Sequence, residues 1–258
     1  SSDLSFLLPR PSSLQLAFHP PTLFFLVTWR QLSATVIIKA ENDHINTDVD
    51  EYASATSVDG KVMAFTRYEL ADTANISGPK EVIYESHFNR HGELTQQLRL
   101  FPGNDAFHYS PLEYSFDKNT FYYYKGETHK TGNIHEAKRM DNTWIENGVV
   151  EGFINSPYWD SDITFSYDGS FAVFSSNRPG GYGGRDLYSA TMQPDGTWGK
   201  ITNLGPSINT EKNEDSPFFR KDDQMLYFSS NGHAGIGGMD VFYSKFENGA
   251  FSYPKNIG

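Results

Sequence analysis

The chain has 258 residues, 38% of them hydrophobic and 15% aromatic, with 22 glycines, 13 prolines and no cysteine. This length fits one large domain or two small ones, and the aromatic share favours pleated, half-buried sheet surfaces. The lack of cysteine excludes disulfides, thiol nucleophiles and Cys-based zinc sites, and a net charge of −11 repels a nucleic-acid backbone over most of the surface.

Residues 1–44 contain four apolar segments, LSFLL, LQLAF, TLFFLVTW and ATVIIK, without a recognisable motif. They read either as a degenerate blade of a larger repeat or as a strand or two with an extension. The most apolar stretch, Leu16–Val27, is interrupted by His19-Pro20-Pro21. It falls short of the ~18 apolar residues of a membrane span, and no basic region precedes it as in a signal peptide. The chain is expected not to span a membrane.

From residue 45 the sequence repeats itself. FSSNRPGGYGGRDLYSA, Phe174 to Ala190, returns 54 positions later as FSSNGHAGIGGMDVFYS, with eight of seventeen positions identical. Twenty residues before each phenylalanine stands Ile154-Asn155-Ser156 or Ile208-Asn209-Thr210, and Ile45-Asn46-Thr47 precedes Phe65 by the same interval. Six residues after each isoleucine lies an acid: Glu51, Asp160 or Glu214. Turn pairs share one offset at Asp59-Gly60, Asp168-Gly169 and Asp222-Asp223. A weaker copy with Ser110-Pro111, Asp117-Lys118-Asn119 and the strand Phe121–Tyr124 fills the gap. Four units result, about 45–103, 104–153, 154–207 and 208–258.

Each unit reads as four short strands separated by tight-turn signals, and no amphipathic helical run appears. Repeats of about 50 residues with four strands each are the pattern of a β-propeller blade. The expected fold is all-β: an N-terminal segment 1–44 followed by a propeller of four-stranded antiparallel blades over 45–258. Four clear repeats plus a degenerate N-terminal one make five blades, with six as the alternative.

Ile208 to Tyr243, INTEKNEDSPFFRKDDQMLYFSSNGHAGIGGMDVFY, resembles the TolB-like, WD-like propeller repeat of bacterial envelope proteins. That pattern runs I-N-(T/S), an acid, S-P, D-G, an F-S-S-N strand, a glycine loop and D-(I/L/V)-Y. The third unit matches nearly as well, the first in its front half, and the second weakly. The glycine-loop version is similar to that of envelope proteins pairing the propeller with an OmpA-type peptidoglycan-binding domain, often in secretion or surface machinery. The resemblance implies a non-enzymatic interaction platform with a protein or peptidoglycan-associated partner, located in the periplasm or at the outer membrane. The residues themselves, with one carboxylate per glycine loop and His87 and His91 lacking a third ligand, lead to no expected metal or cofactor. In it the motif residues Asn177, Asp186, Asn231 and Asp240 are blade-building parts, and the aspartates bond to amides of the glycine loop.

The alternative is a glycan-active hydrolase in which Glu51, Asp160 and Glu214 converge on the central channel, as paired carboxylates must for glycoside hydrolysis. That reading requires the three acids to share one pocket. For binding, the expectation falls on loop positions where the repeats differ. Arg178 and Arg185 stand opposite Gly232 and Met239, His233 opposite Pro179, and Tyr158 and Trp159 opposite Lys212 and Asn213. Loops on a rigid scaffold carry contacts, and Arg, Tyr and Trp are frequent anchors.

Overall fold

Alternation along a strand ordinarily puts one face in the core and one in water, but here it feeds two cores. In Phe171–Ser176, Val173 packs with Phe219, Leu226 and Phe228, whereas Ala172 and Phe174 pack with Ile134, Ile154 and Tyr188. Both faces of such a strand are interior, so it reads as a continuous apolar run rather than an alternating one. Sheets stacked side by side require this.

The computed structural model describes residues 50–69, 80–101, 107–128, 131–152, 154–166, 168–220 and 224–257. Every regular element among them is a strand. The first sheet contains β1 (Glu51–Thr56), β2 (Val62–Glu69), β3 (Lys80–Phe88) and β4 (Leu94–Arg99). The second contains β5 (His108–Tyr114), β6 (Thr120–Gly126), β7 (Gly132–Met140) and β8 (Thr143–Val149). The third contains β9 (Asp160–Phe165), β10 (Phe171–Ser176), β11 (Asp186–Thr191) and β12 (Thr202–Asn203). The fourth contains β13 (Glu214–Arg220), β14 (Met225–Ser230) and β15 (Asp240–Glu247), with two short strands, β16 (Ala250–Phe251) and β17 (Lys255–Asn256), both paired to β15. Each sheet is an antiparallel meander in chain order.

The first strands of the sheets lie side by side: β5 against β1 and β9, and β9 against β13. Three cores are shared by consecutive sheets: Ala64 and Ile83 with Phe121 and Tyr123, Ile134 with Phe174, and Leu187 with Phe228, while Met63, Phe65 and Leu94 cluster on the first sheet. This is a β-propeller of four-stranded blades with four blades among the described residues. The expected N-terminal blade and the Asp222-Asp223 turn lie outside those residues.

Two local devices recur. Every first strand carries a bulge near its start, between Tyr52 and Ser54, Pro111 and Glu113, Ser176 and Phe174 of the pairing partner, and Asp215 and Phe218. A bulge adds twist and re-aims side chains, as strands converging on an axis need. In the first three blades the turns between first and second strands share a Ser-x-Asp design. Asp59, Asp117 and Asp168 each accept from the hydroxyl two residues before and the backbone N–H two residues after. Desolvation pushes Asp59 up, but the bond from Lys118 together with those from Ser57 and Lys61 N brings it down to about 2, and the bonds from Ser166 and Ser170 hold Asp168 at about 2.

Candidate interaction face

The face of interest is the end of the blades where first strands begin and second strands run into third strands. The pairs Asp160↔Ser176 and Ser176↔Asp186 place the third acid beside its glycine loop, and Glu214↔Ser230 with Ser230↔Asp240 repeats this in the fourth blade. The same register makes Glu51, His108, Asp160 and Glu214 equivalent.

The acids are closed within their own blades. Glu51 pairs with Arg67 at 2.8 Å. Asp160, fully buried, accepts from Ser156 N at 2.6 Å and Ser156 Oγ at 2.8 Å, and pairs with Arg178 at 2.8 Å. Glu214, also fully buried, accepts from Thr210 N and Oγ1 at 2.7 Å and from Ser230 Oγ at 2.6 Å. Each carboxylate ties the start of its strand to the Ile-Asn-(Thr/Ser) segment or to the neighbouring strand.

The asparagine of that segment does something different. Asn155 accepts from Ile134 N–H and donates to the Ile134 carbonyl, both at 2.8 Å. Asn209 does the same to Leu187, at 2.8 and 2.9 Å. Ile134 and Leu187 lie on the third strand of the preceding blade, so each asparagine is a clasp between blades. The motif asparagines further on clasp within a blade: Asn177 with Trp159, and Asn231 with Asn213, each through a side-chain and a backbone bond.

The aspartates Asp186 and Asp240 hold the glycine loops. Asp186, 1% exposed, accepts from Tyr182 N at 2.6 Å, Gly183 N at 3.0 Å and Asn203 Nδ2 at 2.7 Å. Asp240 accepts from Gly237 N at 2.9 Å. The third loop also seats the next blade. A Cβ at Gly183 would run into the carbonyls of Lys212 and Thr210, and Gly184 N donates to Lys212 O at 2.6 Å.

The residues expected to bind a partner divide into two groups. Arg178 lies across Phe174 and Tyr188, with its guanidinium 4.8 and 5.3 Å from their centroids. It also donates to the Ile154 carbonyl. His233 lies 6.0 and 5.1 Å from Phe228 and Phe242, the equivalent pair, and its Nε2 is 2.7 Å from the Ile208 carbonyl. The two therefore fill the same slot although they differ by one position in the repeat. Gly232, the sequence counterpart of Arg178, has no room for a side chain because its Cβ would strike Thr210. Arg185 stacks over Trp159 at 4.4 Å and pairs with Asp215 at 2.6 Å, spanning two blades. Tyr158 is 48% exposed. It is joined at the surface by Tyr182, 49% exposed, and Ile236, 91% exposed, which are equivalent tips of the two glycine loops.

Asp162 and Asp215 did not stand out in the sequence. They sit on adjacent first strands beside Arg185 and Ser161. Desolvation, and then the charge of Asp215, pushes Asp162 up to about 7, while Arg185 pulls the other way. The only signal was their position next to the repeated acids.

No family model matches the sequence, and no curated protein matches it. Solved structures share its shape distantly. TolB from Acinetobacter baumannii has 18% identity and a TM-score of 0.49 over 77% of this chain and 41% of that one. A TolB-type protein of Agrobacterium tumefaciens has 13% and 0.46 over 82% of each. Prolyl oligopeptidase B of Galerina marginata has 12% and 0.46 over 80% of this chain and 27% of that one. The chain thus spans less than half of two of these proteins, and likenesses this distant carry no inference about activity. Among the described residues no helix is long and apolar enough to cross a membrane.

Proposed function

We propose that the chain is a non-enzymatic β-propeller module that docks a protein or cell-wall-associated partner in a bacterial cell envelope, using the face that carries the glycine loops. The observation behind this reading is the pair Tyr182 and Ile236. Two equivalent loops, each held from beneath by an aspartate, lift a large apolar side chain into solvent at the same position of the blade. Exposed apolar tips on a rigid base suit contact, because little conformational entropy remains to be lost on binding. The envelope location follows from the repeat's resemblance. A hydrolase built on Glu51, Asp160 and Glu214 gains no support from carboxylates buried in separate blades.

The test is the double variant Tyr182→Ser, Ile236→Ser, compared with the unaltered chain in cross-linking capture from an envelope fraction. The captured protein is then purified and its binding titrated. Exposed tips contribute little to folding, so stability should change by less than about 0.5 kcal/mol, while affinity falls at least tenfold. Unchanged affinity, or glycan turnover abolished by Glu214→Gln, would overturn the reading.

A further inference from the structure

Arg185 joins three parts of the molecule. Its backbone belongs to the third glycine loop and to the joint with the fourth blade: its N–H donates to Asn213 Oδ1 at 3.1 Å, and its carbonyl accepts from Glu214 N at 2.8 Å. Its guanidinium lies 4.4 Å from the Trp159 ring and pairs with Asp215 of the fourth blade at 2.6 Å. Ser161 Oγ donates to the same Asp215 at 3.4 Å, and the carboxyl of Asp162 hydrogen-bonds it. Two carboxyl groups hydrogen-bond only when one of them carries a proton, because an ionised carboxylate has no donor. Arg185 faces Asp215, so the proton belongs to Asp162. The joint thus holds two carboxyls, one proton and one cation.

This set occurs at one joint. At the same offset in the fourth blade, Ser216 stands for Asp162 and Met239 for Arg185. The strand of Asp162, β9, packs against β5, β7, β10 and β13. The other charged groups on these strands have partners of their own among the described residues. On β5, His108 is 3.2 Å from Glu81, and Glu113 accepts from Phe165 N at 3.2 Å. On β7, Glu136 pairs with Lys138 and Arg139 lies over Trp144. On β13, Glu214 is closed by Thr210 and Ser230, and Arg220 lies over Tyr227. Asp160 of β9 itself pairs with Arg178, and β10 carries no charge. Desolvation keeps His135 neutral by holding it at about 4, and Tyr124 neutral by raising it to about 12.

We propose that the proton shared by Asp162 and Asp215 gates the third glycine loop. With the proton, Arg185 holds Asp215 and covers Trp159. Without it, two carboxylates compete for one guanidinium, Arg185 leaves the Trp159 ring, and the loop bearing Tyr182 shifts. Desolvation, and then the charge of Asp215, places the loss of this proton near pH 7, so the loop is held below that value and released above it. The gate rests on the reading of the glycine-loop face as a docking surface and adds its regulation by pH, since Arg185 ties together the two segments that expose Tyr158 and Tyr182.

Protons are the probe. The isotope-labelled full chain is titrated from pH 5 to pH 9 while the Asp162 carboxyl carbon, the Trp159 indole N–H and the amides of Tyr182 and Arg185 are followed by NMR. All should move together with one midpoint near 7. Asp162→Asn, which keeps the shape and a donor, should abolish the movement at Trp159 and Tyr182, and His108→Gln should leave it unchanged. Arg185→Met should leave Asp162 titrating, at higher pH, but without the Tyr182 amide following. The amide of Met239, on the loop that lacks the arginine, should show no change that Asp162→Asn removes. Affinity for the partner captured on the docking face should differ at least threefold between pH 6 and pH 8, and Asp162→Asn should remove the difference. An Asp162 carboxyl ionised at every pH, loop amides that stay still while it titrates, or movement that survives Asp162→Asn would overturn the gate, as would equal affinity at both pH values. If the loop titrates as expected but Tyr182→Ser, Ile236→Ser leaves partner binding intact, the proton-linked joint stands and the docking face falls. If the loop stays still while that double variant abolishes binding, the face stands and the gate falls.

Discussion

Asp162 shows how little a residue's type says about its role. It is one carboxylate among 32 acidic residues, but β9 and β13 bring it against Asp215, and crowding with desolvation raises it to about 7. The folded chain then keeps a proton that the unfolded chain, with an ordinary value of 3.8, gives up. By linkage this group's contribution to stability is whole below about pH 4, declines as pH rises, and levels off above about 7. Asp162→Asn removes that penalty. Its melting temperature should exceed the unaltered chain's by several degrees at pH 8 and by much less at pH 5, at roughly 2–4 °C per kcal/mol for a chain of this size. Equal differences at both pH values in a thermal melt would contradict this account. Arg178 and His233 make the same point. Their chemistry and loop position mark them as contacts, yet each reaches inward to a carbonyl over an aromatic pair.

At the scale of the element, the glycine loop was legible as a motif but not as a joint. Its Gly-Gly pair and following aspartate are visible in the sequence, and so is the need for a tight backbone. What the loop touches was hidden, because Thr210–Asn213 lies in the next repeat, about 27 residues away along the chain. One glycine from each of the two equivalent loops therefore predicts an opposite outcome. Gly183→Ala puts a methyl group against backbone carbonyls that cannot move without unseating the fourth blade, and urea unfolding should show a loss of ~2–3 kcal/mol, as for other overpacked sites. Gly238→Ala has nothing to strike and should fall within about 0.5 kcal/mol of the unaltered chain.

For the whole molecule, stability is held between blades rather than within them. Val173 and Leu187 are fully buried only because Phe219, Leu226 and Phe228 of the fourth blade cover them. Deleting residues 208–258 would expose that face and remove the Asn209 clasp on Leu187. The shortened chain should lose its cooperative transition and bind a hydrophobic dye, whereas a retained sharp melt would mean that blades fold independently. Repeats that bury their surfaces only against neighbours behave in this cooperative way.

The sequence by itself determined the class of fold. Strand length, turn chemistry and a spacing of 54 residues are local or periodic properties, and they require sheets that repeat around an axis. It also marked the aspartates and asparagines that recur. Only the tertiary structure decided where those side chains point: Asn155 and Asn209 into the preceding blade, Glu51, Asp160 and Glu214 into their own, Tyr182 and Ile236 into solvent. The reason is physical. A repeat reports that a position is used in every blade, but whether it serves the blade, the joint or the surface depends on which neighbour lies across the gap, and that neighbour is remote in sequence.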